Sequence, residues 1–352
     1  MAQKELSISA VIPTYNRAHL IRRALNSVLQ ELQPQDEVIV IDDGSLDDTQ
    51  HVLRQFTDPR LSFVYQPNAG AGVARNHGAA LATKDLLAFL DSDDEWLPGK
   101  TLAQRRFMQA QPEVLFSFTD FARQLGAHTE HKSLQYWHTD ARPWNEIMEC
   151  KPKIFSPNAS LGIPEFTYYI GSIYLGEMYT NYVLTSCVMI RRVQAGNAVH
   201  FNPNTKTFED WECWGHLSHA GLAAYLDFES AIQHAHPGAR LTDAGLLTSS
   251  KARLAVLEAV WGSDPSFLGK YEEEYKSLYQ NVQLDKIRGH LVLGQTKQAR
   301  ELTKLLDSNI PKSYQTLCMM PGTMVSSLLA LRRTVFGLRA QHELQSRKEQ
   351  VY

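Results

Sequence analysis

The chain has 352 residues, 43% hydrophobic and 21% charged, with a formal net charge of −3. This suits one large globular domain or two ordinary ones, and the charge balance excludes nucleic acid as a bulk partner. Four dispersed cysteines (Cys150, Cys187, Cys213, Cys318) form no Cys-x-x-Cys pair and read as buried thiols in a reducing compartment. The opening residues run straight into a strand, with no secretory h-region and no membrane span, so a cytoplasmic location is expected.

Residues 8–12 form a short apolar strand stopped by Pro13. A helix over 18–32 carries Leu20, Ile21, Leu25, Val28, Leu29 and Leu32 at helical spacing. A second strand over 37–41 ends in Asp42-Asp43-Gly44-Ser45. A helix over 47–56, a strand over 61–65 and a small-residue helix over 72–83 follow. Residues 86–90 are continuously apolar, the pattern of a buried parallel strand. Strand, helix, strand at this pitch specifies right-handed crossovers and a parallel, doubly wound sheet. Residues 105–205 are less regular and dense in aromatics from Tyr136 to Tyr182. A returning strand is expected over 186–190, an acid-led helix over 208–217 and a last strand within 226–236. After Leu241 the texture is helical, and 287–306 reads as one helix. Over 323–339 Arg332 and Arg339 interrupt an apolar face. That end reads as a membrane-surface helix or equally as a helix docked on its own domain.

The polar residues gather at the strand ends: Thr14-Tyr15-Asn16-Arg17, Asp42-Asp43, Asn68 to Asn76, and Asp91-Ser92-Asp93. In open α/β sheets ligands sit outside the carboxyl ends of the strands, so four such clusters on one edge define a pocket. Asp91, Asp93 and Asp94 repel one another unless a cation joins them. Hard oxygen ligands so closely set suit Mg²⁺ or Mn²⁺, which in turn suit a diphosphate. Taken alone, Asp-x-Asp is also an ordinary acidic loop. Gly70-Ala71-Gly72 is not a dinucleotide fingerprint, because Arg75 stands where a third small residue belongs. Glu209 and Asp210 read as helix-capping acids or as a general base at the pocket mouth. His234 and His236 share a strand face, either as satisfied histidines or with one of them as a metal ligand.

Together these pieces resemble family 2 glycosyltransferases of the GT-A fold, from residue 8 to about 242. The resemblance is carried by Val11-Ile12-Pro13-Thr14-Tyr15-Asn16-Arg17, Val40-Ile41-Asp42-Asp43-Gly44-Ser45, Asn68 to Gly78, Phe89-Leu90-Asp91-Ser92-Asp93-Asp94-Glu95-Trp96, Glu209-Asp210-Trp211 and His236-Pro237-Gly238. It implies an α/β domain over 1–242 with a GT-A type doubly wound, mostly parallel, Rossmann-like sheet. Residues 1–100 would be its nucleotide-binding half and 101–242 its acceptor-binding half, with a helical C-terminal extension over 243–352. Thr14, Tyr15, Asp43, Arg75 and Asp91 would bind the nucleotide, Asp43 taking the N3–H of uracil and Asp91 the ribose or a metal-bound water. Asp93 and His236 would hold Mn²⁺ or Mg²⁺. Asp210 would be the general base, with Glu209 and Trp211 on the acceptor side, and the aromatic segment from Tyr136 to Tyr182 would face the acceptor.

The implied activity is inverting, metal-dependent transfer of a hexosyl or N-acetylhexosaminyl group from a nucleotide-diphospho-sugar, a UDP-sugar by expectation. The acceptor would be a hydroxyl of a glycan or glycolipid, reached in the cytoplasm or at the inner face of the membrane. Two other classes stand beside it. A sugar-nucleotide nucleotidylyltransferase needs a glycine- and arginine-rich loop after the first strand, where this chain has Pro13-Thr14-Tyr15-Asn16-Arg17. A non-catalytic nucleotide-sugar-binding protein has no need of both Asp93 and Asp210.

Overall fold

The computed structural model describes residues 4–137, 142–157, 163–205, 207–235, 245–306 and 310–329. The chain falls into two compact units, Met1–Ala239 and Arg240–Tyr352. In the first unit β1 (Ile8–Thr14), α1 (Ile21–Glu31), β2 (Glu37–Asp42), α2 (Thr49–Leu53), β3 (Leu61–Tyr65), α3 (Ala71–Leu81) and β4 (Leu86–Phe89) alternate along the chain. The four strands pair in parallel in the order β3-β2-β1-β4. β1 and β4 are apolar runs enclosed on both faces, which is what a strand between helical layers requires. The stripe predicted for α1 is the buried one, with Ile21, Ala24, Leu25 and Val28 fully enclosed. Small residues let α3 lie directly on the sheet: a Cβ at Gly78 would stand 2.3 Å from Val11 Cγ1.

The chain continues through β5 (Glu95–Trp96), α4 (Lys100–Ala110), β6 (Val114–Leu125), β7 (His128–Glu130), α5 (Leu134–Trp137), α6 (Trp144–Ile147), β8 (Lys153–Phe155), β9 (Phe166–Gly171), α7 (Tyr174–Tyr179), β10 (Met189–Arg191), α8 (Arg192–Ala195), α9 (Glu209–Ala220) and β11 (Leu222–His234). β10 runs antiparallel between β4 and β6, and the same sheet extends through β6, β11, β9 and β8. β6 and β11 are parallel to each other, while β9 and β5 pair antiparallel with β11. The stretch expected to be irregular therefore supplies much of the second half of the sheet.

Of its aromatics, expected to face an acceptor, some turn inward and others are half-buried. Phe166, Tyr168 and Tyr182 belong to the core. Phe107 of α4 meets Phe155 and Tyr168 edge-on at 5.4 and 5.0 Å. Trp144 stacks on Tyr225 with ring centroids 4.0 Å apart. Large flat residues are needed to fill the gap between α4 and the β8–β9 hairpin, and core packing accounts for their density.

The second unit is helical: α10 (Leu246–Val260), α11 (Pro265–Val292), α12 (Thr296–Leu305) and α13 (Lys312–Met319). Asp264 caps α11 by accepting from the Ser266 and Phe267 N–H groups, with Pro265 at the first helical position. α11 is kinked at Tyr271, where the backbone leaves helical geometry. The single helix expected over 287–306 is two, because Gly294 takes a left-handed φ of 70°. The Gly294 N–H bonds the Leu291 carbonyl and the Gln295 N–H bonds the His290 carbonyl, a Schellman close that ends α11. Ile287, Leu291, Ala299, Cys318 and Val325 form a small core in this unit. Of the stretch over 323–339, residues 330–339 lie outside the described residues. Among the described residues no helix is long and apolar enough to cross a membrane. The four cysteines are free thiols, three buried and Cys150 half-buried.

Candidate active site

The parallel strands deliver their loops to one edge, and the loops are tied to one another. After β1, the Thr14 carbonyl accepts the Asp43 N–H at 2.8 Å. After β2, the Asp43 carboxylate is the hub of the glycine stretch. Its Oδ1 accepts from Gln66 Nε2 at 2.7 Å and from the Ala69 N–H at 2.9 Å, and its Oδ2 accepts from the Gly70 N–H at 2.8 Å. Gly44 makes this possible with a φ of 81°, and a Cβ there would stand 2.7 Å from the Asn68 nitrogen. Asp43 is only 3% exposed, so it organises the loop that begins α3. Thr14 is equally buried and its hydroxyl has no hydrogen-bond partner among the described residues, whereas Tyr15 is 42% exposed at the same edge.

β4 ends in the acidic loop, where exposure alternates: Asp91, Asp93 and Glu95 are half-buried, Ser92, Asp94 and Trp96 buried. The inward residues are held from below by Ser186, just before β10. Its hydroxyl donates to Asp94 Oδ2 at 2.6 Å, and its carbonyl accepts the Trp96 indole N–H at 2.9 Å. Arg23 donates to the Asp93 carbonyl at 2.5 Å. His234, at the end of β11, lies 3.0 Å from Glu95 Oε2, and burial together with Arg23 lowers its pKa. Two half-exposed carboxylates, Asp91 and Asp93, are thus offered by one loop. Mg²⁺ and Mn²⁺ are characteristically bound by one or two carboxylates, with phosphates and water completing the shell, so the donor set fits such an ion. Among the described residues no group of three or more His, Cys, Asp or Glu converges as a complete cage. His236, expected as a further ligand, lies outside the described residues.

Arg75 joins this loop to the start of α9. It is 5% exposed on α3, and its guanidinium donates to Asp91 Oδ1 at 2.7 Å and to Glu209 Oε1 at 2.9 Å. The guanidinium also lies 5.3 Å from the Phe201 ring centroid. Flanking acids hold Arg75 firmly protonated despite its burial. Three elements distant in sequence therefore meet at one cation. Gly72 permits the approach, since a Cβ there would press on Glu209 Cγ at 3.2 Å. Phe201 meets Phe89 at 5.3 Å and Trp214 at 5.6 Å, seating α9 against β4.

α9 begins at Phe208, a non-glycine residue in the left-handed region with φ 67°. Glu209 turns to Arg75, and Glu212 accepts from Asn202 Nδ2 at 3.0 and 3.1 Å. Asp210 lies between them in sequence with a different environment. Its Oδ1 accepts the Trp211 N–H at 2.8 Å and its Oδ2 accepts from Asn181 Nδ2 at 3.1 Å. Burial and the neighbouring Glu209 charge push its pKa up to about 6, with Arg75 pulling the other way. Such a group is ionised at neutral pH yet basic enough to take a proton. Trp211 is 2% exposed and donates its indole N–H to the Glu177 carbonyl at 2.6 Å.

The structure thus brings Arg75, Asp91, Glu209 and Asp210 into one neighbourhood, with Asp43 and Thr14 on the adjoining strand ends. Arg75 and Trp211, expected to contact nucleotide and acceptor, are both enclosed and hydrogen-bonded to protein partners. Three participants carry no motif, namely Glu177, Asn181 and Ser186, which reach in from the segment before β10. Glu177 is fully buried, and burial reinforced by Asp210 pushes its pKa well above the ordinary carboxylate range. Its Oε1 accepts the Tyr182 N–H at 3.1 Å, and its Oε2 has no hydrogen-bond partner among the described residues.

A mostly parallel sheet whose strand ends carry an acidic loop and an acid-led helix is the arrangement of the GT-A class of fold. Residues 9–166 match the model of Glycosyl transferase family 2. The chain is 30% identical over 223 residues to TuaG of Bacillus subtilis (strain 168), a glycosyltransferase provisionally assigned by name to teichuronic acid biosynthesis; the match covers 62% of this chain and 74% of TuaG. It is 47% identical over 90 residues to the validoxylamine A glucosyltransferase of Streptomyces hygroscopicus subsp. jinggangensis (strain 5008), covering 24% and 21% of the two chains. In structure it is similar to residues 1–349 of S. aureus TarS in complex with UDP-GlcNAc, with a TM-score of 0.56, 15% identity, and 93% and 92% of the two chains covered. It is also similar to the mannosyltransferase PcManGT from Pyrobaculum calidifontis in complex with GDP-Man and Mn²⁺, with a TM-score of 0.52, 15% identity, and 92% and 86% covered. The chain belongs to the family 2 glycosyltransferases, and the expected GT-A fold with C-terminal helices is the fold observed.

Proposed function

We propose that this chain is an inverting, metal-dependent glycosyltransferase that moves a sugar from a nucleotide-diphospho-sugar, a UDP-sugar, to a hydroxyl of a glycan or glycolipid. The observation that carries the reading is the Arg75 bridge, which unites the acidic loop after β4 with the acid-led start of α9. That bridge keeps the carboxylates facing a donor beside the carboxylate facing an acceptor. TarS, solved with UDP-GlcNAc, and PcManGT, solved with GDP-Man and Mn²⁺, support a sugar-nucleotide donor without choosing its base.

In this mechanism Tyr15, Thr14 and the loop organised by Asp43 line the nucleotide, and Asp91 lies beside its ribose. Asp93 would hold Mg²⁺ or Mn²⁺, with His236 as the expected further ligand; bound there, such an ion neutralises charge on the diphosphate. Asp210 takes the proton from the acceptor hydroxyl as that oxygen bonds to the anomeric carbon. The carbon–phosphate-oxygen bond breaks on the opposite face, and the nucleoside diphosphate departs with the electron pair. One displacement inverts the anomeric centre and needs no covalent nucleophile. Glu209 is neutralised by the Arg75 cation, whereas Asp210 is held only by the neutral Trp211 N–H and Asn181 amide among the described residues, which supports its reading as the base.

Two substitutions test the reading. Asp93→Ala should abolish the Mn²⁺-dependent part of UDP binding in calorimetry, and unchanged Mn²⁺-dependent affinity would contradict it. Asp210→Asn should leave UDP affinity intact while turnover falls by about 10²- to 10⁴-fold. Near-normal turnover would move the base elsewhere. A thermal-shift panel of uridine and guanosine diphosphate sugars, with and without Mn²⁺, tests the donor; no response to uridine compounds would reject the UDP assignment.

A further inference from the structure

We propose that Asn181 is the positioning residue of the general base: it fixes the plane of the Asp210 carboxylate and, by donating to Oδ2, favours its charged form. The proposal rests on the reading of Asp210 as base. Asn181 lies after α7, outside every motif that carries the family resemblance. Its Oδ1 accepts the Val183 N–H at 3.2 Å, which gives the amide one orientation and leaves Nδ2 to face Asp210 Oδ2 at 3.1 Å. The other carboxylate oxygen is held by the Trp211 N–H at 2.8 Å. Both oxygens are therefore restrained, one by the first turn of α9 and one by the α7–β10 segment.

The segment bearing Asn181 is itself anchored on both sides. The Glu177 carbonyl accepts the Trp211 indole N–H, and Glu177 Oε1 accepts the Tyr182 N–H. Tyr182 is fully buried and meets Trp144 edge-on at 5.3 Å. A side chain held between fixed neighbours can aim a partner within the tolerance that catalysis needs.

The electrostatics give the hydrogen bond a measurable consequence. Glu209 and Cys213 on its own helix, Asp91 after β4 and Glu177 on α7 are the acids and thiol around Asp210; Arg75 on α3 is the cation. Burial, Glu209 and Asp91 oppose ionisation, while Arg75 and the Trp211 N–H favour it; the Asn181 amide, 3.1 Å from Oδ2, is a second donor on the same side of the balance. Removing one donor tilts this balance toward the protonated, inactive form.

The test uses the full chain with aspartate ¹³C-labelled at the carboxyl, the Asp210 resonance being identified by its loss in Asp210→Asn. Asn181→Ala should move the Asp210 titration midpoint up by about one pH unit. UDP release from the UDP-sugar giving the largest thermal shift should then fall about fivefold more at pH 6 than at pH 8.5, as the ionised fraction dictates, on top of the pH-independent loss that a freed carboxylate plane brings. Asn181→Asp, nearly isosteric and able to keep the Val183 contact, sets a second acid against the base and should raise the midpoint further. An unmoved midpoint in both variants overturns the proposal, as does a loss of turnover equal at all pH values. Should Asp210→Asn itself remain active, the base assignment fails instead, and the two failures are thereby distinguished.

Discussion

Arg75→Met isolates the link that makes one site of two halves. Methionine replaces most of the apolar stem against Phe201 but removes the charge that Asp91 and Glu209 share. Breaking a buried ion pair by deleting one partner costs about 3–5 kcal/mol, because the remaining charge stays desolvated. The Glu209 arm takes nearly the full effect, since the two side chains are 6% and 8% exposed. Asp91 is 30% exposed and recovers water, so its arm adds little. We therefore expect about 3 kcal/mol of destabilisation at pH 7.5. Urea unfolding followed by tryptophan fluorescence reports on this unit through the buried Trp96, Trp211 and Trp214. Arg75 is also the cation that restrains the Asp210 pKa, so the acid limb of turnover should move to higher pH. A loss below about 1 kcal/mol would refute the reasoning.

Turnover of the unmodified protein should rise through about pH 6 and then level, following the raised pKa of Asp210; a limb near pH 4 in a pH–kcat profile would contradict this. That same shift costs stability. A carboxyl near 6 when folded and 3.8 when unfolded destabilises the fold above pH 6, increasingly from pH 3.8 upward, and not below. Asp210→Asn should consequently raise thermal stability by about 1–2 kcal/mol at pH 7.5 and hardly at all at pH 4, as calorimetric melting would show. Gly78→Ala should destabilise by about 1–3 kcal/mol in denaturant titration, because its methyl group meets Val11 Cγ1 at 2.3 Å. Phe208→Gly should be more stable than Phe208→Val by about 1 kcal/mol or more, since only glycine takes φ 67° without strain; equal melting points would discount the left-handed start of α9.

The first half of the molecule was legible because its code is local. Leu86 to Phe89 are apolar in sequence because the strand is covered on both faces, and the polar residues after each strand mark the edge where a parallel sheet stops. The second half resists for opposite reasons. β7 and β8 have three residues each, too few for a period to emerge, and β11 is interrupted by register shifts near Glu229. Val114 to Phe118 did carry a strand-like β-branched and aromatic signal, masked by the aromatic density around it. Glycine at 294 ended a helix that hydrophobic spacing alone carried through, since spacing records which face is buried and not whether the backbone continues. Within the site, acids were found because they cluster in sequence. Asn181 and Ser186 were not, because a single amide or hydroxyl acquires meaning only when folding sets it against a carboxylate.

The same contrast explains how the site divides its labour. Asp91, Asp93, Glu209 and Asp210 are supplied by loops at strand and helix ends, where a short sequence can place several charges at once. Arg75 is the cation buried among them, and its two terminal nitrogens are already committed to Asp91 and Glu209. A diphosphate arriving at this edge adds further negative charge to a neighbourhood that has no positive charge from Arg75 to spare. On the proposed function a divalent ion would offset that charge, and Arg75 has the structural duty of keeping the two acidic elements together. On that argument an arginine expected to grip the nucleotide does more by gripping the protein: it brings the start of α9 to the donor's edge of the sheet, where Asn181 can fix the base.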